Sequence, residues 1–181
     1  GPCGGTIEPG VAGRTAFTLR VQTGCDQACS YCIIPSTRGH GRSLPIPTVI
    51  EEVRRVADAG FREIALTGVH LGSYGRDLDH PSSLLELLEA VSRVDLDITF
   101  RISSLEPMDC TPEIVSLVAA NAQRFAPHFH LPLQHASDRM LEAMRRPYTL
   151  AYYAHLVQSI VPKLPHASIG RDMIVGFSGE T

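Results

Sequence analysis

The chain has 181 residues, in which 16 Lys and Arg stand against 19 Asp and Glu for a formal charge of −3 at pH 7. Its 44% hydrophobic content is enough for one cored domain, which excludes an intrinsically disordered chain and a disulfide-stapled miniprotein. No apolar run reaches the roughly 20 residues of a membrane-spanning helix, no secretory leader is recognisable, and no excess of Lys and Arg marks the whole chain as a nucleic-acid binder. A cytoplasmic domain without membrane contact is therefore expected, and any RNA role has to come from local features.

Residues 1–14, GPCGGTIEPGVAGR, are rich in Gly and Pro and carry no apolar period, so they read as a flexible linker or tag remnant before a core domain at 15–181. From there, apolar runs rich in β-branched residues alternate with amphipathic helical stretches. The runs are Thr15–Gln22, Glu63–Thr67, Ile98–Ser103, His128–Leu133 and Ser168–Phe177. Thr48 with Glu51, and Ser83 with Glu86, have the spacing of capping boxes. Thr111 precedes a proline suited to the first helical position, and Ser137 and Thr149 are further caps. Val49, Ile50, Val53, Val56 and Ala57 make one apolar helix face, and Leu84, Leu85, Leu87, Leu88 and Val91 another. Such an alternation implies an α/β fold with a parallel sheet and right-handed crossovers. Five strands fall short of the eight-stranded barrel of roughly 250 residues, which leaves an open doubly wound sheet or part of a barrel. The closing Gly176–Thr181 reads as a turn after a strand, inside a longer protein.

Cys25, Cys29 and Cys32 follow the first run in the pattern C-x3-C-x2-C, at a strand end, where parallel β/α folds place their chemistry. A zinc site wants four ligands, usually in paired C-x2-C or C…H elements, and His40 is a poor fourth. A structural disulfide does not suit crowded thiols in a reducing compartment. Three thiolates on one loop suit a four-iron cluster with one iron left open. With Tyr31 as the aromatic of the motif, the loop resembles that of the radical S-adenosylmethionine (SAM) enzymes. The resemblance implies a partial (β/α) barrel with parallel strands and outer helices, truncated at the C-terminal end. It also implies a [4Fe–4S] cluster whose open iron chelates S-adenosylmethionine and whose electron cleaves it to a 5′-deoxyadenosyl radical.

Longer segments are similar to the methylthiotransferases: Cys32–Ser43 (CIIPSTRGHGRS), His130–Gln134 (HLPLQ) with Ser137 and Asp138, Met144–Thr149 (MRRPYT) and Asp172–Thr181 (DMIVGFSGET). Leu66–Gly75 and Arg101–Glu106 most resemble the branch acting on N6-threonylcarbamoyladenosine next to the tRNA anticodon. Branches acting on isopentenyladenosine in tRNA, or on a ribosomal protein aspartate, are the alternatives within the family. A zinc-stabilised RNA-binding module using Arg38, Arg42 and Arg145 is the alternative outside it. The family resemblance implies transfer of a methylthio group, with sulfur coming through a second [4Fe–4S] cluster. That cluster and an RNA-binding module are expected only in the full-length protein, so the isolated chain is not expected to complete the reaction. The implied partners are the tRNA anticodon stem-loop and an electron donor such as a flavodoxin or ferredoxin.

Carried onto this sequence, the resemblance makes Cys25, Cys29 and Cys32 the cluster ligands and catalytic residues, and turns Tyr31 towards the adenine. Thr67 and Gly68 end the second strand, where backbone approaches the cofactor's amino group. Ser103, Ser104 and Glu106 offer oxygens to ribose hydroxyls or to the ammonium, and Gln134 can donate and accept at once. Arg38 offers a fork for a carboxylate or phosphate. Arg145 and Arg146 read as a second cationic patch, His70 and Tyr74 as candidate substrate contacts, His130 first as a packed strand residue, and Cys3 and Cys110 as bystanders. His135-Ala136 stands where the family usually has Ser-Gly, and Ser178 where it often has Pro.

Overall fold

The computed structural model of the protein describes residues 8–10 and 15–180. The expected linker at 1–14, apart from 8–10, lies outside the described residues, as does Cys3. In chain order the elements are β1 (Ala16–Arg20), β2 (Gln22–Thr23), α1 (Ile34–Arg38), β3 (Arg42–Ser43), α2 (Ile46–Asp58), β4 (Glu63–Thr67), α3 (Leu84–Ser92), β5 (Thr99–Ile102), α4 (Pro112–Ala120), β6 (His128–His130), α5 (Asp138–Ala143), α6 (Leu150–Ile160) and β7 (Ser168–Gly170). No helix among the described residues is long and apolar enough to cross a membrane.

β1, β4 and β5 form a parallel sheet in that order, with Ala16 opposite Glu63 and Glu63 opposite Thr99. β6 and β7 form a parallel pair, and single parallel bridges at Phe100–Phe125 and Ser104–His130 carry the curve from β5 to β6. The parallel strands thus follow one another in chain order, each crossover made by a helix. This is the α/β arrangement expected from the alternation, and all five C-terminal ends lie on one rim. β4 buries Ile64, Ala65 and Leu66 in succession, as a strand covered on both faces does. The helices supply the cover. Val49, Val53 and Val56 of α2 and Leu84, Leu87, Leu88 and Val91 of α3 are buried, with Ile50, Ala57 and Leu85 packed beside them. Each full burial of such a side chain contributes about 1.5–3 kcal/mol before entropy is counted.

Several boundaries differ from the sequence reading. The first run is broken at Val21, because the chain turns out of the parallel sheet and β2 pairs antiparallel with β3. The last run is a strand only over Ser168–Gly170. Beyond it a single bridge, Gln134–Met173, continues the pairing. The Thr48–Glu51 capping box does not form. α2 starts at Ile46, with Pro45 in extended geometry ahead of it and no side-chain cap. A proline in the first turn needs no amide donor, so Pro47 lets the helix begin before Thr48. The other box is present: Ser83 Oγ accepts from the Glu86 amide at 3.2 Å and the Glu86 carboxylate accepts from the Ser83 amide at 3.2 Å. Thr111 and Thr149 also cap their helices through Oγ1, whereas Ser137 occupies the cap position without a side-chain bond.

Ser83→Ala is expected to lower the unfolding free energy by about 1 kcal/mol. Thr48→Ala is expected to change it by less than about 0.5 kcal/mol. Urea denaturation of both variants checks the contrast, and equal losses would restore Thr48 as a cap.

Candidate active site

The site begins as a loop with a pinched neck. Pairing of β2 with β3 brings Gln22 opposite Ser43 and Thr23 opposite Arg42, so residues 24–41 close on themselves. Gly24 sits at the pinch with φ +71°, where a Cβ would lie 1.9 Å from the His40 carbonyl oxygen; no other residue fits such an approach. The Cys25 amide donates to the Gly39 carbonyl at 3.0 Å. Asp26 spans the same ends: Oδ1 lies 2.6 Å from His40 Nδ1 and Oδ2 accepts from the Gly41 amide at 3.1 Å. His40 and that amide hold the Asp26 carboxyl below its ordinary range.

Gln22 fastens the neck to the rim. Its buried amide nitrogen donates to the carbonyls of Thr23 and Gly24 at 2.9 Å each, and its oxygen accepts from the His70 amide at 2.9 Å. The loop after β4 is thereby held against the cysteine loop. A Cβ on Gly68 would stand 2.9 Å from that same Gln22 oxygen, so the glycine after Thr67 is needed for this contact.

Cys25, Cys29 and Cys32 are free thiols lining one cavity of about 490 Å³, together with Pro35, His40 and Arg145. Burial pushes the Cys25 thiol up, and the neighbouring sulfurs of Cys29 and Cys32 push it the same way, against a hydrogen bond from the Gln27 amide. Three thiolates this crowded are favourable only when a cationic centre shares their charge. Among the described residues no three His, Cys, Asp or Glu side chains are placed to share a single ion. Three cysteines on one loop are the donor set that a four-iron cluster with one open iron takes, whereas a structural zinc site takes four ligands.

A second anchor comes from the end of α5. The Ser30 amide and hydroxyl donate to the carbonyls of Met144 and Ala143 at 3.2 and 2.8 Å. Two reverse bonds close that helix, Arg145 N to Glu142 O at 2.9 Å and Arg146 N to Leu141 O at 2.8 Å. This is a Schellman turn, and its left-handed position, normally glycine, is occupied by Arg145 with φ 57°. The turn sends consecutive arginines to different places. Arg145 lines the thiol cavity. The Arg146 side chain is 2% exposed and donates to Cys29 Sγ at 3.1 Å, to Tyr148 Oη at 3.2 Å and to the Glu106 carboxylate.

The other expected residues spread around the rim. Tyr31 is partly exposed, edge-on to Phe177 at 6.5 Å, and burial pushes its hydroxyl up to about 12. Arg38 is exposed at the end of α1 and does not line the thiol cavity. Ser103 Oγ is buried without a hydrogen-bond partner among the described residues. Ser104 Oγ lies 2.7 Å from His130 Nδ1, whose Nε2 is 3.3 Å from Asp172, so His130 bridges the ends of β5 and β7. Gln134 takes φ 69° and uses its backbone to pair with Asp172 and Ile174. His135, the departure from Ser-Gly, accepts from the Ser137 amide at 2.9 Å and reaches Glu180 at 3.1 Å.

Two expectations are corrected. His70 and Tyr74 are 4% and 0% exposed and cannot meet a substrate at the mouth. The loop after β4 folds inward, so His70 Nε2 pairs with Asp109 at 2.8 Å and Tyr74 donates to the Leu44 carbonyl at 2.5 Å. Cys110 is buried, its thiol pushed up to about 12 by burial, as fits a structural residue. The sequence reading missed Gln22 and undervalued Arg146. A polar amide ending an apolar run was the available signal for Gln22; burial of an arginine left none for Arg146.

The family described as the radical SAM superfamily matches residues 19–181. The tRNA-2-methylthio-N(6)-dimethylallyladenosine synthase of Carboxydothermus hydrogenoformans is 38% identical over 174 residues, 96% of this chain and 38% of that protein. The threonylcarbamoyladenosine tRNA methylthiotransferase MtaB of Bacillus subtilis is 38% identical over 173 residues, again 96% of this chain and 38% of the relative. The chain thus spans under two fifths of the length of these relatives. Among solved structures, the radical S-adenosylmethionine methyltransferase TsrM from Kitasatospora setae superposes with TM-score 0.71 at 18% identity, covering 92% of this chain and 31% of that one. The cobalamin-dependent S-adenosylmethionine radical enzyme OxsB gives TM-score 0.70 at 14% identity, covering 88% and 24%. At such identities the two structures establish the fold.

A left-handed arginine costs about 1 kcal/mol relative to glycine. Arg145→Gly is therefore expected to raise the urea-unfolding free energy by that amount while removing a cation from the thiol cavity. A destabilised Arg145→Gly protein would contradict the strained turn.

Proposed function

The chain belongs to the radical SAM superfamily, and on that premise we propose that it is the radical core of a tRNA methylthiotransferase. Its substrate is a modified adenosine next to the anticodon, and threonylcarbamoyladenosine is favoured over isopentenyladenosine by the segments Leu66–Gly75 and Arg101–Glu106. One observation carries the reading: three free thiols on a loop pinned at the C-terminal rim of a parallel α/β fold, lining one cavity. When bound, a [4Fe–4S] cluster supplies the electron that cleaves S-adenosylmethionine reductively.

The residues of this chain hold and orient. Cys25, Cys29 and Cys32 ligate the cluster, and Gly24 and Gln22 fix where that loop stands on the rim. Thr67 and Gly68 present backbone to the cofactor's amino group. The Glu106 carboxylate has one oxygen on Arg146 and offers the other to the ammonium. Ser103, whose hydroxyl lacks a hydrogen-bond partner among the described residues, and Ser104 would serve the ribose hydroxyls, Gln134 would donate and accept at the cofactor, and Tyr31 would face the adenine. Arg38 waits at the rim for a carboxylate or phosphate. The full-length protein adds the second cluster and the grip on the tRNA anticodon stem-loop, works in the cytoplasm, and receives its electron from a flavodoxin or ferredoxin.

Anaerobic reconstitution followed by iron and sulfide analysis is expected to give one four-iron cluster, lost in the Cys25→Ala, Cys29→Ala, Cys32→Ala triple variant. Stoichiometric zinc with no visible absorbance would overturn the reading in favour of a zinc-stabilised RNA-binding module. Mass spectrometry of tRNA and ribosomal proteins from a strain lacking the full-length gene decides the substrate: loss of the methylthio group from threonylcarbamoyladenosine is expected. Loss from isopentenyladenosine or from a ribosomal aspartate would move the protein to another branch.

A further inference from the structure

Arg146 is the charged group that the described fold buries most completely, at 2% side-chain exposure. A buried cation persists only where partners replace its water, and each of its partners comes from a different part of the rim. Nε donates to Tyr148, whose hydroxyl in turn donates to the Pro132 carbonyl at 3.0 Å. Its guanidinium also stacks on the Tyr148 ring at 5.1 Å. One terminal nitrogen holds Glu106 after β5, and the other donates to Cys29 Sγ at 3.1 Å. The ion pair with Glu106 occupies one terminal nitrogen, so the bond to sulfur is made by a separate N–H directed at Cys29. It is also selective. Cys25 accepts from a backbone amide, that of Gln27 at 3.4 Å, and Cys32 is exposed, which leaves Cys29 as the thiol with a cationic donor among the described residues.

We propose that Arg146 is a positioning residue that sets the reduction potential of the cluster through its N–H···S bond to Cys29, with Glu106 partly offsetting its charge. The proposal rests on reading the three thiols as cluster ligands. Hydrogen bonds and charges at ligating sulfurs are among the determinants of such potentials. Adding one electron makes the cluster more negative, so a donor cation at Cys29 favours the reduced form and raises the potential. Removing Arg146 lowers it, and removing the charge of Glu106 raises it. A merely structural tie would not produce shifts of opposite sign.

The test is an EPR-monitored redox titration of the anaerobically reconstituted protein without S-adenosylmethionine, following the signal that the triple cysteine variant lacks. In Arg146→Met the ratio of reduced to oxidised cluster at fixed potential is expected to fall about tenfold, a shift of about 59 mV for one electron. Arg146→Lys, which keeps the charge but not the fork, is expected to fall less, and Glu106→Gln to move the other way. A wild-type potential in Arg146→Met would overturn the proposal while leaving the cluster reading intact. Failure of wild type to assemble a cluster would overturn both. If Arg146→Met does not fold, the lysine and glutamine variants decide by sign: shifts of the same sign, or none, would refute the proposal.

Discussion

Everything at the rim depends on the pinch at the base of the cysteine loop. A loop of 18 residues between β2 and β3 would sample many arrangements of its thiols if its ends were free, and ordering each residue costs about 1–2 kcal/mol of backbone entropy. Here the ends are zipped by the β2–β3 pairing, by Cys25 to Gly39, and by Asp26 across to His40 and Gly41. Gln22 then binds that neck to the loop after β4. The two glycines at the contact, Gly24 and Gly68, are there because backbone and the Gln22 side chain occupy the space a Cβ would need.

The far side of the loop is held by a different device. Ser30 caps the carbonyls at the end of α5, and the Schellman turn there aims Arg146 inward at Cys29. Left-handed backbone at a non-glycine residue stores strain that the surrounding structure must over-determine. At Arg145 the strain keeps a cation on the thiol cavity, one residue before the buried one. The cavity is thus built from segments far apart in sequence, with Asp26, His40 and Arg145 among its lining residues.

That construction explains which features were legible beforehand. The cysteine loop was readable because its ligands are local and its spacing is chemically specific. β4 was readable to the residue, Glu63–Thr67, because a short β-branched run between a glycine-ended helix and a glycine turn has few alternatives. The Ser83 box was readable from spacing, whereas the same spacing at Thr48 misled because prolines at 45 and 47 moved the helix start. His70 and Tyr74 were misplaced since a rim loop that folds inward leaves no period in the sequence. Arg146 was undervalued for a related reason: its partners Cys29, Glu106 and Tyr148 become neighbours only through the tertiary fold, and an arginine in a polar stretch ordinarily belongs to a solvated face.

The central claim is that the pinned thiols hold a cluster with one iron open to a ligand, and one spectroscopic comparison addresses it directly. EPR spectra of the reduced, reconstituted protein would be recorded with and without S-adenosylmethionine. The account predicts a four-iron signal whose g-values shift when S-adenosylmethionine is added; identical spectra, or a protein that takes up zinc and gives no such signal, would contradict it.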